Sequence, residues 1–126
     1  VIKAIRHRLR VWKAERRERK KDNERSSQWP RVRDAFKKNR PCAACGGIER
    51  LQVHHKKPFH LARMLELEPK NLIVLCMGPP ECHLRIGHGD DFEAYNPHVE
   101  IDSILCYTHP SDRATVETKA RLSRRY

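Results

Sequence analysis

Apolar residues recur at two different periods along this chain. Ile2, Ile5, Leu9 and Trp12 fall at helical spacing among basic residues, the pattern of an amphipathic helix with one apolar stripe. Beyond Trp12 the stripe gives way to charge as far as Arg25. The pattern predicts one long helix, anchored at its start on the chain's own core or on a partner and solvated later. Ser26-Ser27-Gln28-Trp29-Pro30 reads as a second helix start, with a Ser cap and Pro in the first turn. Trp29, Val32 and Phe36 line one face up to Lys38, and Asn39-Arg40-Pro41 stops the helix. From Leu51 the period becomes two. Leu51-Gln52-Val53-His54-His55 alternates like a half-buried strand, and residues 71–76 form the short apolar run of a buried one. Residues 58–70 between them read as a loop with a helical turn near Leu61 to Leu67. A turn at residues 77–81 leads into a short helix over residues 82–87. Residues 89–110 read as irregular, with Phe92, Tyr95, Val99, Ile101, Ile104 and Leu105 available to cover the core. Ser111 can cap a last helix running to Arg125. Strand, loop, strand, helix between flanking helices predicts an α+β fold.

Charge divides the same chain into three parts. Of 126 residues with a net charge of +11, residues 1–25 hold 11 Lys or Arg against 4 acids (+7), residues 111–126 hold 5 against 2 (+3), and the remainder holds 11 against 10 (+1). The reading is a basic N-terminal arm (1–25), a central domain (26–110) and a basic C-terminal helix (111–126). Affinity for a polyanion then comes mainly from the ends, as phosphate contacts that position without reading sequence. Arg31, Arg33, Lys37, Lys38 and Arg40 offer a second such surface on the second helix. No run is apolar enough to span a bilayer, and the N-terminus lacks the apolar core of a secretory signal, so an intracellular protein is expected. A core this small benefits from a staple such as a structural metal. Five cysteines, an odd number, favour metal ligation over a disulfide framework.

The donors for that metal lie between Cys42 and His88. Cys42-Ala-Ala-Cys45 is followed by Gly46-Gly47, which supplies the backbone freedom of a tight knuckle. Then come Val53-His54-His55-Lys56-Lys57-Pro58, Pro69-Lys70-Asn71 opening the run to Cys76, and Glu81-Cys82-His83-Leu84-Arg85-Ile86-Gly87-His88. Thiolates suit a structural zinc; imidazoles with an open position suit a catalytic divalent ion. There is room for both.

In the order of these elements the chain resembles the HNH nucleases, the ββα-metal family, over roughly residues 41–88. The resemblance implies a small ββα-metal domain with flanking basic α-helices that hydrolyses DNA phosphodiester bonds. It implies His54 as a ligand of the catalytic ion and His55 as general base. Adjacent strand residues point to opposite sides, which fits two different jobs. Asn71 takes the position that braces the loop and orients the base. His83 matches the final histidine, a metal ligand. His88 is the candidate second ligand from that helix, although relatives place the two four apart and here the separation is five with Gly87 between. The catalytic cation implied is Mg2+, Mn2+ or another divalent ion. His60 can touch the metal or a phosphate, or be a solvated loop residue.

The structural zinc set implied is Cys42, Cys45, Cys76 and Cys82. Relatives have Cys-x-x-Cys at the second pair, whereas this chain has Cys76-Met-Gly-Pro-Pro-Glu-Cys82. A competing completion uses Cys106 and His109 with Cys42 and Cys45; in the first arrangement Cys106 is a small buried hydrophobe. Two rivals to a free-standing nuclease remain: a non-catalytic zinc-bound nucleic-acid-binding module, and a nuclease subunit of a larger phage or defence complex. In the second, the stripe from Ile2 to Trp12 is the docking face for a protein partner or for a homodimer.

Overall fold

Two short strands form the centre of the molecule. β1 (Leu51–His55) and β2 (Leu72–Cys76) pair antiparallel, with Leu51 opposite Cys76 and His55 opposite Leu72. The computed structural model describes residues 1–22 and 24–109, so the C-terminal helix expected over residues 111–126 lies outside the described residues. α1 (Ile2–Asp22) opens the chain, and α2 (Trp29–Lys37), a π-helical turn (His83–Gly87) and α3 (Val99–Thr108) complete a small α+β fold with the hairpin. Both strands fall where the two-residue period and the apolar run predict them.

All five residues of β2 are buried, because the sheet is covered on both faces. Partners in an antiparallel pair share a face, which puts His54 with Ile73 and His55 with Leu72. α2 lies against β1, and Trp29 stacks on His55 at a centroid distance of 4.5 Å. The other face meets the π-helical turn, and the core there joins Ile73, Leu75, Ile86 and Val99 to the buried cysteines. Between the strands, Asn71 ties the loop down. Its Oδ1 accepts the Lys57 N–H (2.9 Å), and its Nδ2 donates to the carbonyls of Lys57 (3.1 Å) and Leu65 (3.3 Å). A helical turn, Arg63–Leu65, lies inside the predicted span.

Three expectations are corrected. Residues 89–110 are not irregular throughout, since α3 occupies Val99–Thr108. Its buried positions are Val99, Ser103 and Cys106, a helical stripe of small residues in place of the large apolar ones. Phe92, Ile101, Ile104 and Leu105, expected to cover the core, are exposed. The helix starts at the buried Asn96, whose Oδ1 accepts the His98 N–H (2.9 Å) while its Nδ2 donates to Asp102 (2.7 Å) and to the Ile86 carbonyl (3.1 Å). Glu100 and Asp102 in the first turn complement the helix dipole. Second, Ile2, Ile5, Leu9 and Trp12 do not dock on the core, being 67, 53, 50 and 48 % exposed. Third, Ser26 does not cap α2 directly: its Oγ accepts the Gln28 N–H (3.2 Å), and Gln28, the residue before the helix, makes no side-chain cap. No helix among the described residues is long and apolar enough to cross a membrane.

Candidate metal centres and cleft

The knuckle at Cys42 is built by its own backbone. Gly46 donates to the Cys42 carbonyl (2.9 Å) and Cys42 to that of Gly47 (2.8 Å), while Gly46 adopts the left-handed φ of +75° that glycine takes without strain. The Gly47 N–H points at Cys45 Sγ (3.4 Å), an outer contact that thiolate ligands use. Ala43 N–H donates to Val74 O (2.8 Å), which holds the knuckle against β2 and so against Cys76. Cys82 arrives at the start of the π-helical turn.

The result is four sulfurs, of Cys42, Cys45, Cys76 and Cys82, all within 4.8 Å of one another. Such a set can hold a metal ion such as zinc. Cys45 and Cys76 are 3.7 Å apart, sulfur to sulfur, far beyond a disulfide bond. That is close to the edge of about 3.8 Å in a tetrahedron with Zn–S bonds of about 2.3 Å. Cys42 is held down to about 4, chiefly by the hydrogen bond from the Cys82 thiol and against the effect of burial. Cys82 is pushed up by sharing its proton with Cys42 and by burial, and Cys45 is pushed up to about 11, first by burial. One thiolate is thus stable alone and further ones oppose it. A bound cation reverses that order by deprotonating the thiols it ligates. Cys106 is buried in the adjoining core and stands outside this set of four; His109, exposed, meets Thr108 Oγ1 at 2.9 Å.

The imidazole set lies on the other side of Cys82. Ring centroids of His54, His83 and His88 are 4.9 Å apart in all three pairings, and one ring nitrogen from each lies within 4.8 Å of the others. The five-residue step from His83 to His88 works because the turn is wound five residues per hydrogen bond: the His88 N–H reaches the His83 carbonyl (3.1 Å). A π-helical turn of this kind returns residue i+5 to the face of residue i, and such turns are frequent at functional sites. Gly87 permits the closeness. A Cβ there would stand 3.2 Å from His83 Cδ2, 3.2 Å from Leu75 Cδ1 and 3.3 Å from His54 Cε1.

Outer contacts orient the rings. His88 Nδ1 donates to the Ala94 carbonyl (2.6 Å), and His83 Nδ1 meets Met77 Sδ (2.8 Å). With those nitrogens engaged, Nε2 of each ring carries the lone pair. His83 Nε2 faces His54 Nδ1 at 3.0 Å, and the buried His54 Nε2 has no partner. Burial first, then the neighbouring imidazoles, pushes His54 well below the usual histidine range and His83 down to about 4. These rings are therefore neutral at pH 7, as metal ligands must be. An orphaned buried nitrogen beside neutral, inward-facing rings fits a divalent cation.

His55 points away from this cluster yet lines the same cleft, of about 540 Å³. Its Nε2 donates to the Glu66 carbonyl (2.9 Å), leaving Nδ1 as the lone-pair nitrogen. Burial lowers its pKa against the effect of that bond, and the Arg25 charge lowers it further. Asn71 does not hold the ring itself: the direct partners of His55 are Glu66 and Trp29, and Asn71 acts one step back by bracing residues 57–65. His60 is exposed on the cleft wall and lies outside the ligand set.

Arg25 is the site residue that the sequence reading did not single out. Its guanidinium lies over Phe59 (4.7 Å) and Trp29 (5.5 Å) at the cleft, and among the described residues no carboxylate pairs with it. Glu66 places it, since its buried carboxylate accepts the Ser26 N–H (2.9 Å) while its carbonyl holds His55. Contact across 40 residues leaves no local sequence signal; the Arg-x-x-x-Trp spacing is compatible with a stacked cation but does not single it out. Comparison with known families, with characterised proteins and with solved structures gives no match for this chain.

Proposed function

We propose that this protein is a metal-dependent endonuclease of the HNH, ββα-metal kind that hydrolyses DNA phosphodiester bonds. The observation that carries the reading is one cleft holding both a neutral, oriented imidazole at His55 and an open cluster of three more at His54, His83 and His88. β1, β2 and the π-helical turn stand for the two strands and helix of that fold. In this reading His55 takes a proton from the attacking water at Nδ1, with Glu66 O fixing the tautomer and Trp29 the ring plane. His54, His83 and His88 would hold a divalent ion of the kind imidazoles favour, Mn2+ or a later transition metal, and that ion would supply charge neutralisation at the phosphate and help for the leaving oxygen. Arg25, stacked on Phe59 and Trp29 and paired with no carboxylate among the described residues, holds a phosphate oxygen through its planar fork of donors. Cys42, Cys45, Cys76 and Cys82 would hold a Zn2+ that would fasten the knuckle to β2 and to the turn that carries His83. The arm over residues 1–25, at +7, contacts DNA backbone, and its exposed apolar stripe is open to a protein partner.

The test is incubation of the purified protein with supercoiled plasmid and added Mg2+ or Mn2+. Nicked or linear product that a chelator abolishes is expected. His55→Ala should lower the rate by about a hundredfold to ten-thousandfold while bound metal stays unchanged. Intact plasmid with every divalent ion, or near-normal cleavage by His55→Ala, would overturn the reading.

A further inference from the structure

The histidine cleft has more apolar wall than a phosphate requires. Val53, Pro58 and Phe59 line it, and Phe92 stands at its edge. Phe92 is 53 % exposed, with its ring centroid 5.1 Å from His88 and 6.0 Å from His83. Part of the Phe92 ring therefore reaches solvent beside the imidazoles, and the Arg25 guanidinium, with which no carboxylate pairs among the described residues, lines the same cleft. At about 540 Å³ the cleft falls within the size of sites that enclose one small ligand, roughly 300–1,000 Å³. One nucleotide has both parts that this lining asks for: an anion for Arg25, and a flat apolar face for Phe92. In an intact duplex the base faces are covered by their neighbours, so an aromatic side chain can stack on one only where the base has left the stack.

We infer that the cleft takes one unpaired nucleotide, its phosphate toward Arg25 and its base stacked on Phe92. The preferred DNA is then single-stranded or locally unpaired. The fate of the phosphate rests on the nuclease reading of the same site; the stacking does not.

The experiment measures binding of the full chain to a single strand, to the same sequence as a perfect duplex, and to a duplex with one bulged nucleotide. His55→Ala protein is used so that binding is read without turnover, and the titrations are repeated with Phe92→Ala and Phe92→Tyr added. The expected result is about tenfold or tighter binding of the single strand and the bulge over the perfect duplex, the scale of one base–aromatic stack. Phe92→Ala should bring that ratio close to one, and Phe92→Tyr should keep it. Replacing the bulged nucleotide by an abasic unit should cost as much as Phe92→Ala, which separates stacking from phosphate contact. Equal binding of duplex and unpaired DNA, or a preference that survives Phe92→Ala, would overturn the inference. Because Phe92 is half exposed, an unchanged melting transition is expected of Phe92→Ala; if it unfolds, the abasic and duplex titrations on the parent protein decide alone. Failure of wild-type protein to cleave any of these DNAs, with the binding ratio as stated, would sink the nuclease reading and leave the stacking site standing.

Discussion

The two donor clusters meet at adjacent residues, Cys82 and His83, and differ in almost every physical respect. The thiolate set is sealed: Cys42, Cys76 and Cys82 are 1, 3 and 2 % exposed, and Cys45 has its sulfur against the Gly47 N–H. The imidazole set has one buried ring, His54, and two half-buried ones opening onto the cleft. A closed set of four soft donors leaves no position for substrate, whereas three borderline donors beside a cleft leave one. Under the proposed function, this contrast of donor type and access gives the structural role to the cysteine centre and the chemistry to the imidazole centre.

The comparison breaks most visibly if the thiolates are removed. Cys42→Ser or Cys82→Ser should abolish the bound structural metal and cooperative folding together, because binding worth about 10–16 kcal/mol for a zinc in such sites is itself folding energy. Cys106→Ser provides the control. It buries a hydroxyl in place of a thiol, costs on the order of 1–3 kcal/mol, and should keep the metal. Metal analysis and thermal melts check both; loss of metal in Cys106→Ser with retention in Cys82→Ser would favour the Cys106/His109 arrangement.

How much of this was legible in the sequence follows the range of the forces involved. β1 and β2 were readable because alternation and a short apolar run are local patterns, and the knuckle because Cys-x-x-Cys-Gly-Gly closes through its own backbone. α3 was not. Its core positions are Ser103 and Cys106 beside Val99, while Ile101, Ile104 and Leu105 face outward, so hydropathy pointed the wrong way. His88 was placed with difficulty because a five-residue step belongs to a π turn and not to the α-helix that periodicity assumes. The Glu66 carbonyl that holds His55 has no signature at all, since every residue carries one. Arg25 was counted as charge, and only the Ser26–Glu66 bond brings it to the cleft.

A smaller perturbation sharpens the comparison without unfolding anything. In Gly87→Ala the added Cβ must displace His83, Leu75 or His54 by a few tenths of an ångström. Overpacking of this kind costs about 1–3 kcal/mol of stability. Affinity of the imidazole set for a divalent ion should fall about ten- to a hundredfold, the range for disturbed outer contacts of a metal site, while the thiolate metal stays. Titration with Mn2+ or Co2+ reads the first quantity and metal analysis the second. An unchanged ion affinity would mean that the three rings do not act as one site.

Met77 is the finer probe of the same point, because it follows a thiolate ligand in sequence and touches an imidazole ligand in space. Met77→Leu keeps volume and burial but removes the sulfur at His83 Nδ1. Ion affinity should fall by about tenfold, and Met77→Gln, which restores an acceptor, should recover part of it. Equal affinity in all three proteins would remove Met77 from the site.

The smallest expected effect concerns the proton on His55. Burial, the largest influence, and the Arg25 charge both lower its pKa, against the Glu66 carbonyl that raises it. His55 is therefore neutral down to below the ordinary value of about 6.5. On the nuclease reading, cleavage should hold steady as pH falls from 7.5 to 6.5 and decline only below it, as protons reach His55 of the folded protein. The linked effect on stability has the same direction: below about 6.5 an unfolded chain takes up a proton that the fold resists, so acid weakens the fold. His83, at about 4, stays neutral through the upper part of that range and does not contribute to its onset. Arg25→Gln removes one of the two lowering causes and should move the acid limb upward, toward 6.5, as well as weakening DNA binding. A limb that already falls between pH 7 and 7.5 in the parent protein, or that moves downward in Arg25→Gln, would show that a group other than His55 governs the reaction.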